Sequence, residues 1–465
     1  MKLPAYGINK KGQCMTILII FIILFLMTNL SVWAKIPILR VGIFLDYKEI
    51  TLKCEKGLHV YDISSMKTLL IQENNHVLKI AANSQGIEIN KKLYHSIKEI
   101  KIIPGDGGFI QVQDGKYRGE IEIIVEQSLL NVINIIEMEK YLYGVLKKEI
   151  SPEWPEEVLK AQAIAARTFA LSNMNKFIDK GYNICASTNS QAYGGVFHED
   201  PATNKAVNDT QGIIAIYQGE AINAVYHSDS GGYTENSEDV WGSPVPYLRS
   251  VPSNYEEIVS PPNHQWNCSL TEQEILKKLF QHGFQLNSID DIVIVDKTES
   301  GRVKSIDIFG DNQQKITLKT NDFRLLMDPT LIRSPMFTID KTGGKKEKSS
   351  PDNNKIGLLA EQTKPLQQKS VSEVLKEERD FSISELISLL NRPKAVEKPE
   401  EVPLSENEIK EQEETGVLLF TFNGQGAGHG VGLSQWGAYG MATQGYSYED
   451  ILKYYYQGIQ LKKLY

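Results

Sequence analysis

Cysteine is scarce in this chain: there are four in 465 residues, at positions 14, 54, 185 and 268, and none is close enough to another to form a CxxC pair. That excludes a cysteine-rich zinc module and declares no disulfide framework, because both need closely spaced or systematically paired thiols. Positive charge is also in short supply. With a formal net charge of -8 and no basic stripe interleaved with aromatics, the chain lacks the electrostatic footprint of a nucleic-acid binder. A phosphate loop is missing too. The glycine-rich stretch GQGAGHGVG (424–432) has no GK followed by Ser or Thr, and no βαβ unit with an acidic residue about twenty positions on. No GxSxG elbow accompanies YHSDSGG (226–232), where His227 lies beside Ser228 and Ser230. Adjacent strand residues point to opposite faces, which argues against a serine triad there. Cys185 with His198 or His227 could form a cysteine-peptidase pair, although a buried inert thiol is the commoner fate of a lone cysteine. Cys185 and His198 alone do not make a zinc site, so neither a metal nor a cofactor is expected.

One long apolar run is present. Lys2, Lys10 and Lys11 precede MTILIIFIILFLMTNLSVWA, an uncharged stretch ending at Ala34. Residues 1–34 therefore read as a signal peptide or a membrane anchor. Val32 and Ala34 suit cleavage, and the length of the run suits retention. Either way the basic flank stays in the cytoplasm, and residues from Lys35 onward are expected outside it, membrane-anchored or secreted.

Residues 35–130 alternate short apolar runs such as ILRVGIFL and GEIEIIV with the turn residues GDGG and DGKY, which predicts a β-rich segment. The period changes from Asn131, where IIEMEKYLYGVLKK and PEEVLKAQAIAARTFALSNMNKF keep apolar residues three and four apart, predicting two helices. Short strands follow, with a further helix at SLTEQEILKKLFQHG capped by Ser269 or Thr271. The expected fold class is α+β, with a mixed helical and antiparallel β domain over 131–340 that resumes at 417–465. Between these parts, residues 341–416 are charged and proline-containing; such composition predicts a largely disordered insertion, because it cannot bury enough surface to offset ordering.

EISPEWPEE (149–157) joins the two predicted helices and carries four glutamates. Glu156 and Glu157 are explained by the positive end of the second helix, Pro155 suits its first turn, and Glu153 sits in a solvated approach. Glu149 differs, because it ends the first helix, where the dipole disfavours negative charge and tends to raise a carboxyl pKa. A carboxyl partly neutral near pH 7 is what a general acid needs. Arg167 interrupts the small, apolar AQAIAARTFA surface, where a charge needs a partner or a ligand. Across the joint, Glu149 is the expected partner. In the glycine-rich stretch, His429 sits among residues that allow close backbone approach, with Ser434, Gln435 and Trp436 just beyond. This predicts a polar site wall, the alternative being a tight turn with a structural histidine.

Three stretches together resemble the SpoIID/LytB family of stage II sporulation protein D and amidase enhancers: YLYGVLKKEISPEWPEEVLKAQAIAARTFAL, YHSDSGGYTENSEDVWGSPVPYLRSV and GAGHGVGLSQWGAYGMATQGYSYEDILKYYY. The resemblance covers roughly 138–340 and 417–465. It implies a lytic transglycosylase that cuts peptidoglycan glycan strands between N-acetylmuramic acid and N-acetylglucosamine without consuming water, leaving 1,6-anhydro ends. Glu149 falls on the family's catalytic glutamate, although the residues after it are Ile150, Ser151 and Pro152 rather than Met-Pro. The family arginine falls on Arg167, and the tyrosine and basic residue of its PYL motif on Tyr247 and Arg249, with His429, Ser434 and Gln435 as further substrate contacts. Some relatives bind zinc through a cysteine just before a Gln-x-Tyr; here Ser190 stands there, so the resemblance implies no metal. The implied partners are glycan strands, an amidase or other wall hydrolase, and the membrane through the N-terminal segment. The other half of the family implies a non-enzymatic alternative, a wall-binding enhancer of an amidase.

Overall fold

A computed structural model describes residues 35–343 and 417–465, except 74, 188 and 263. The apolar leader, and all of the charged insertion beyond Gly343, lie outside the described residues. Among the described residues no helix is long and apolar enough to cross a membrane.

The chain is α+β, as the sequence predicts. Its N-terminal part builds a seven-stranded and a six-stranded sheet, antiparallel apart from the short parallel pairing of Val41 and Gly42 with Ile184 and Cys185. Strands with one wet face alternate strictly: in Glu49–Cys54, Ile50, Leu52 and Cys54 are buried while the residues between them are not. Inward residues of both sheets, such as Val41, Val60 and Ile100 from one and Leu52, Ile80 and Ile87 from the other, share one core.

Leu129–Glu137 is a strand where the sequence reading began a helix; the helix starts at Met138. This strand lies between Ile38–Tyr47 and Glu120–Glu126. Leu130, Val132 and Ile136 face the main core, whereas Ile133 packs with Phe177, Tyr182 and Cys185 on the other side. Burial on both faces makes the run continuously apolar and hides its period of two.

Two helices follow, Met138–Glu149 and Glu156–Ser172, the second N-capped by Pro155 rather than beginning with it. The second helix separates two cores. Ala163, Ala166 and Ala170 face the N-terminal sheets, while Leu159, Ala161, Ile164 and Ala165 face a second core completed by residues such as Val431, Leu433, Leu452 and Tyr455 from the C-terminal stretch. Its small residues let both layers approach closely.

A third core lies around the helices Glu272–Gln281 and Thr320–Met327, covered by two three-stranded sheets. Thr271 caps the first of these helices in a reciprocal capping box with Glu274. One of the sheets places Leu419–Gln425 between Gln265–Thr271 and Phe337–Thr342, so Thr342 and Leu419 are cross-strand partners although the charged insertion separates them in sequence.

From Gln425 the chain crosses to the second core through Gly426, Gly428, Gly430 and Gly432, all with positive φ. The spacing is steric. A Cβ on Gly428 would lie 2.7 Å from the Cβ of His227, and one on Gly430 would lie 2.6 Å from the Arg302 guanidinium. Gly428→Ala is therefore expected to destabilise the fold by about 2 kcal/mol or more, through strain and overpacking together, measured as a drop in Tm; an unchanged Tm would show that this backbone relaxes freely.

Candidate active site

Glu149 is the last residue of its helix, whose buried Tyr141, Leu142, Val145 and Leu146 fix it against the sheets. The chain turns away at Ile150, leaving the carboxyl partly exposed at the joint. Its Oε1 accepts a hydrogen bond from the Ala192 N–H at 3.1 Å, and the Tyr226 hydroxyl lies near the carboxylate and favours its charged form. Burial raises the Glu149 pKa, and the Ala192 N–H bond, the nearby Tyr226 hydroxyl and the charge of Lys148 offset part of that rise. The direction matches the sequence expectation. The main cause is desolvation, however, where the sequence argument relied on the helix dipole.

Gln191 holds this arrangement. Its Nε2 donates to the Tyr226 hydroxyl at 3.1 Å and to the Ala166 carbonyl at 3.3 Å, and its Oε1 accepts from the Tyr141 hydroxyl at 3.2 Å. With both ends of the amide engaged, Gln191 holds the Tyr226 oxygen in place near Glu149. Neither Gln191 nor Tyr226 was singled out from the sequence. The only available signals were QAY, read for metal ligation alone, and the tyrosine that opens YHSDSGG.

Tyr226–His227 pairs in parallel with Leu433–Ser434, which brings the C-terminal stretch to Glu149's neighbourhood. Trp154, Trp436 and Tyr439 form an aromatic wall beside the joint; Trp154 stacks on Tyr439 at 5.2 Å, and the two indoles are 4.8 Å apart. All three rings remain partly exposed, as a surface for sugar faces requires.

His429 does lie at this end of the molecule, with its ring 5.6 Å from His227 and 5.3 Å from Trp241. Burial, and then the charges of Arg324 and Arg302, push its pKa down to about 4, so it is neutral near pH 7. Its Nδ1 accepts from the Val431 N–H. His227 is lowered further by burial; its Nδ1 bonds the Val431 carbonyl, which leaves Nε2 as an unprotonated, buried atom with no partner among the described residues.

Other predicted site residues are placed elsewhere. Arg167 is 1% exposed and forms a two-pronged ion pair with Glu139, at 2.9 and 2.7 Å, with its remaining donors on Thr210 and the Val207 and Ile213 carbonyls. This corrects the expected pairing with Glu149 and leaves the guanidinium no open face for a ligand. Ser434 is also fully buried. It caps the helix Gln435–Thr443 by accepting from Gly437 N–H and donates to Glu256, a structural use in place of the expected sugar contact. Gln435 is 6% exposed and reaches toward Gln162. The Tyr247 hydroxyl accepts from the Asn223 N–H, and Arg249 closes on Glu238 and Ser237; no hydrogen bond among the described residues joins either to Glu149.

Glu256, 0% exposed, takes donors from Ser230 N–H and Oγ, Gly232 N–H, Ser253 and Ser434. It ties three distant segments together. Asp229, Glu256 and His264 bring ligand atoms within 4.8 Å of one another. The five donors already on Glu256 and the His264 bond to Asp229 make this group a hydrogen-bonded hub.

A family model described as Stage II sporulation protein matches residues 126–217, the span that holds Glu149, Arg167 and Gln191. The chain is 28% identical over 359 residues to stage II sporulation protein D of Bacillus subtilis (strain 168), covering 74% of this chain and 79% of that protein. It is 29% identical over 339 residues to the amidase enhancer of the same organism, covering 69% of this chain and 40% of that longer protein. An uncharacterized protein of Brachyspira hyodysenteriae (strain ATCC 49526 / WA1) is 26% identical over 442 residues, 94% of this chain and 95% of its own length.

Proposed function

From the premise that this chain belongs to the SpoIID/LytB family, we propose that it acts in the cell wall as a peptidoglycan lytic transglycosylase, with Glu149 as its acid and base. The observation that carries this reading is a partly exposed carboxyl, raised by burial, held by Ala192 with Tyr226 nearby, beside an aromatic wall. Glu149 protonates the glycosidic oxygen as the sugar develops oxocarbenium character. As a base it then takes the proton of the muramoyl 6-hydroxyl, whose oxygen closes on C1 to form the 1,6-anhydro end. One carboxyl serves twice, because the nucleophile is the substrate's own hydroxyl, held at high effective concentration. His429 and the aromatic wall position the sugars. On this reading the protein works outside the cytoplasm, delivered by its N-terminal segment.

Digestion of peptide-free glycan strands with the full-length protein, followed by mass analysis of the ends, tests this. Anhydromuramoyl ends are expected, and intact strands or reducing ends from hydrolysis would overturn it. The likeness to the amidase enhancer favours a second reading, a non-cutting protein that binds wall glycan and stimulates an amidase. It predicts faster amidase turnover with no new glycan ends.

The pH profile gives a further check. Glu149 must be protonated to act as acid, so cutting falls as pH rises through its raised pKa. Tyr226→Phe removes a nearby hydroxyl that favours the carboxylate, so the falling limb is expected to move to higher pH. A limb that stays in place would show that another group governs it.

A further inference from the structure

We propose that the cleft between Arg324, Arg333 and Trp436 is a carboxylate-binding subsite of the glycan groove, an inference that rests on the cell-wall reading given above. The cleft has a volume of about 430 Å³. Ser228, Asp229, Ala427 and Gly428 form one side, and Pro261, Pro329 and Thr330 join the arginines on the other. Its position ties it to Glu149. Ser228 lies two residues after Tyr226, and its carbonyl accepts from the Trp436 N–H at 3.0 Å, so Trp436 belongs both to this cleft and to the aromatic wall.

Among the described residues no carboxylate closes directly on the cleft's arginines, although the charge of Asp328, four residues on, favours the charged form of Arg324. Arg40, Arg118, Arg167 and Arg249 each close on a carboxylate. Arg324 and Arg333 have none within 4 Å among the described residues. Their Nε atoms donate instead to backbone carbonyls, Arg324 to Arg333 at 3.0 Å and Arg333 to Thr330 at 3.3 Å. These bonds fix the planes of the guanidinium groups and leave the terminal donors for a ligand. Asp229 is the one acidic lining residue, and it is already engaged by His264 at 2.9 Å and by the Gly231 N–H at 2.8 Å. Burial lowers Arg324 to about 10, which keeps it charged at neutral pH while stripping water from it. A desolvated guanidinium that no carboxylate contacts directly is costly, and a planar carboxylate matches its fork. Along a peptidoglycan strand such a carboxylate hangs from the muramoyl ring, either as the free lactyl group or, one step further out, on a stem peptide. Trp436 supplies a face for the apolar part of the same substituent.

The test uses the full-length Glu149→Gln protein, so that nothing is cut while binding is measured. Three probes are compared by titration: peptide-free glycan strands, peptide-bearing strands, and a chitooligosaccharide of equal length, which has a similar sugar backbone without carboxylates. Adding Arg324→Met or Arg333→Met is expected to weaken binding of a carboxylate-bearing strand about tenfold or more and to leave chitooligosaccharide binding unchanged. Selective loss on peptide-free strands assigns the lactyl carboxylate; selective loss on peptide-bearing strands assigns the stem peptide; both support the subsite. Equal loss on all three probes, or no loss on any, overturns it while leaving the cell-wall reading intact. If the parent protein binds neither kind of strand, the cell-wall reading falls, and the subsite with it.

Discussion

Glu149→Gln is expected to abolish glycan cutting, by about 10²- to 10⁴-fold or more, while leaving the fold as stable as before or slightly more so. The two halves of that expectation have one cause. Glutamine keeps the volume and can still accept from Ala192 N–H, so the joint has no reason to move. What it loses is the transferable proton. The raised pKa means that at neutral pH the ionised carboxylate is less comfortable in the folded protein than in the unfolded chain. Its contribution to stability is therefore present below the unfolded carboxyl pKa and lost as pH rises through the folded value. Removing the charge relieves that loss near pH 7. Parallel measurement of anhydro-end formation and Tm checks both halves; a variant that still cuts, or one that simply unfolds, would reject Glu149 as the catalytic group.

Arg167→Met is expected to have the opposite signature, a loss of about 3–5 kcal/mol in stability, with activity falling because less protein is folded. Glu139 is 5% exposed, and without the guanidinium the Gly212 N–H and the Tyr465 hydroxyl are its remaining donors among the described residues. Uncompensated buried charge, rather than lost packing, dominates the cost. Substituting both partners, Arg167→Met with Glu139→Gln, should recover most of the stability, since neutral groups replace both charges. Activity per folded molecule decides the role: recovery in the double variant marks Arg167 as a structural residue, and persistent loss would return it to the substrate site.

That ion pair was legible in the sequence, although the sequence reading chose the wrong glutamate. A charge in AQAIAARTFA announces a partner, and two helices joined by a short turn form a hairpin. At 1.5 Å per residue, Arg167 lies about 16 Å along the second helix, opposite the start of the first rather than its end. Glu139 stands at that start and Glu149 at the joint. Glu149's own partners could not be read so simply. Ala192 comes from the loop after the helix pair and Tyr226 from a two-residue strand that, among the described residues, pairs only with Leu433–Ser434. Strands that short carry almost no periodic signal, and their place depends on contacts between remote segments. The structural use of Ser434 is hard to read for a related reason: it depends on Glu256, a residue drawn in from another part of the chain. Alternation in Glu49–Cys54 and the capping box at Thr271 were legible because each is decided within a few neighbouring residues.

The pairing of Thr342 with Leu419 carries a last consequence. Residues 343–418 begin and end at one rung of an antiparallel ladder, so they join the two strands in the place of a hairpin connection. Closing a longer loop between fixed ends costs only about 0.6 kcal/mol for each doubling of its length. Because its two ends are held together by the ladder, a change in the length of this segment is expected to leave Glu149 in place.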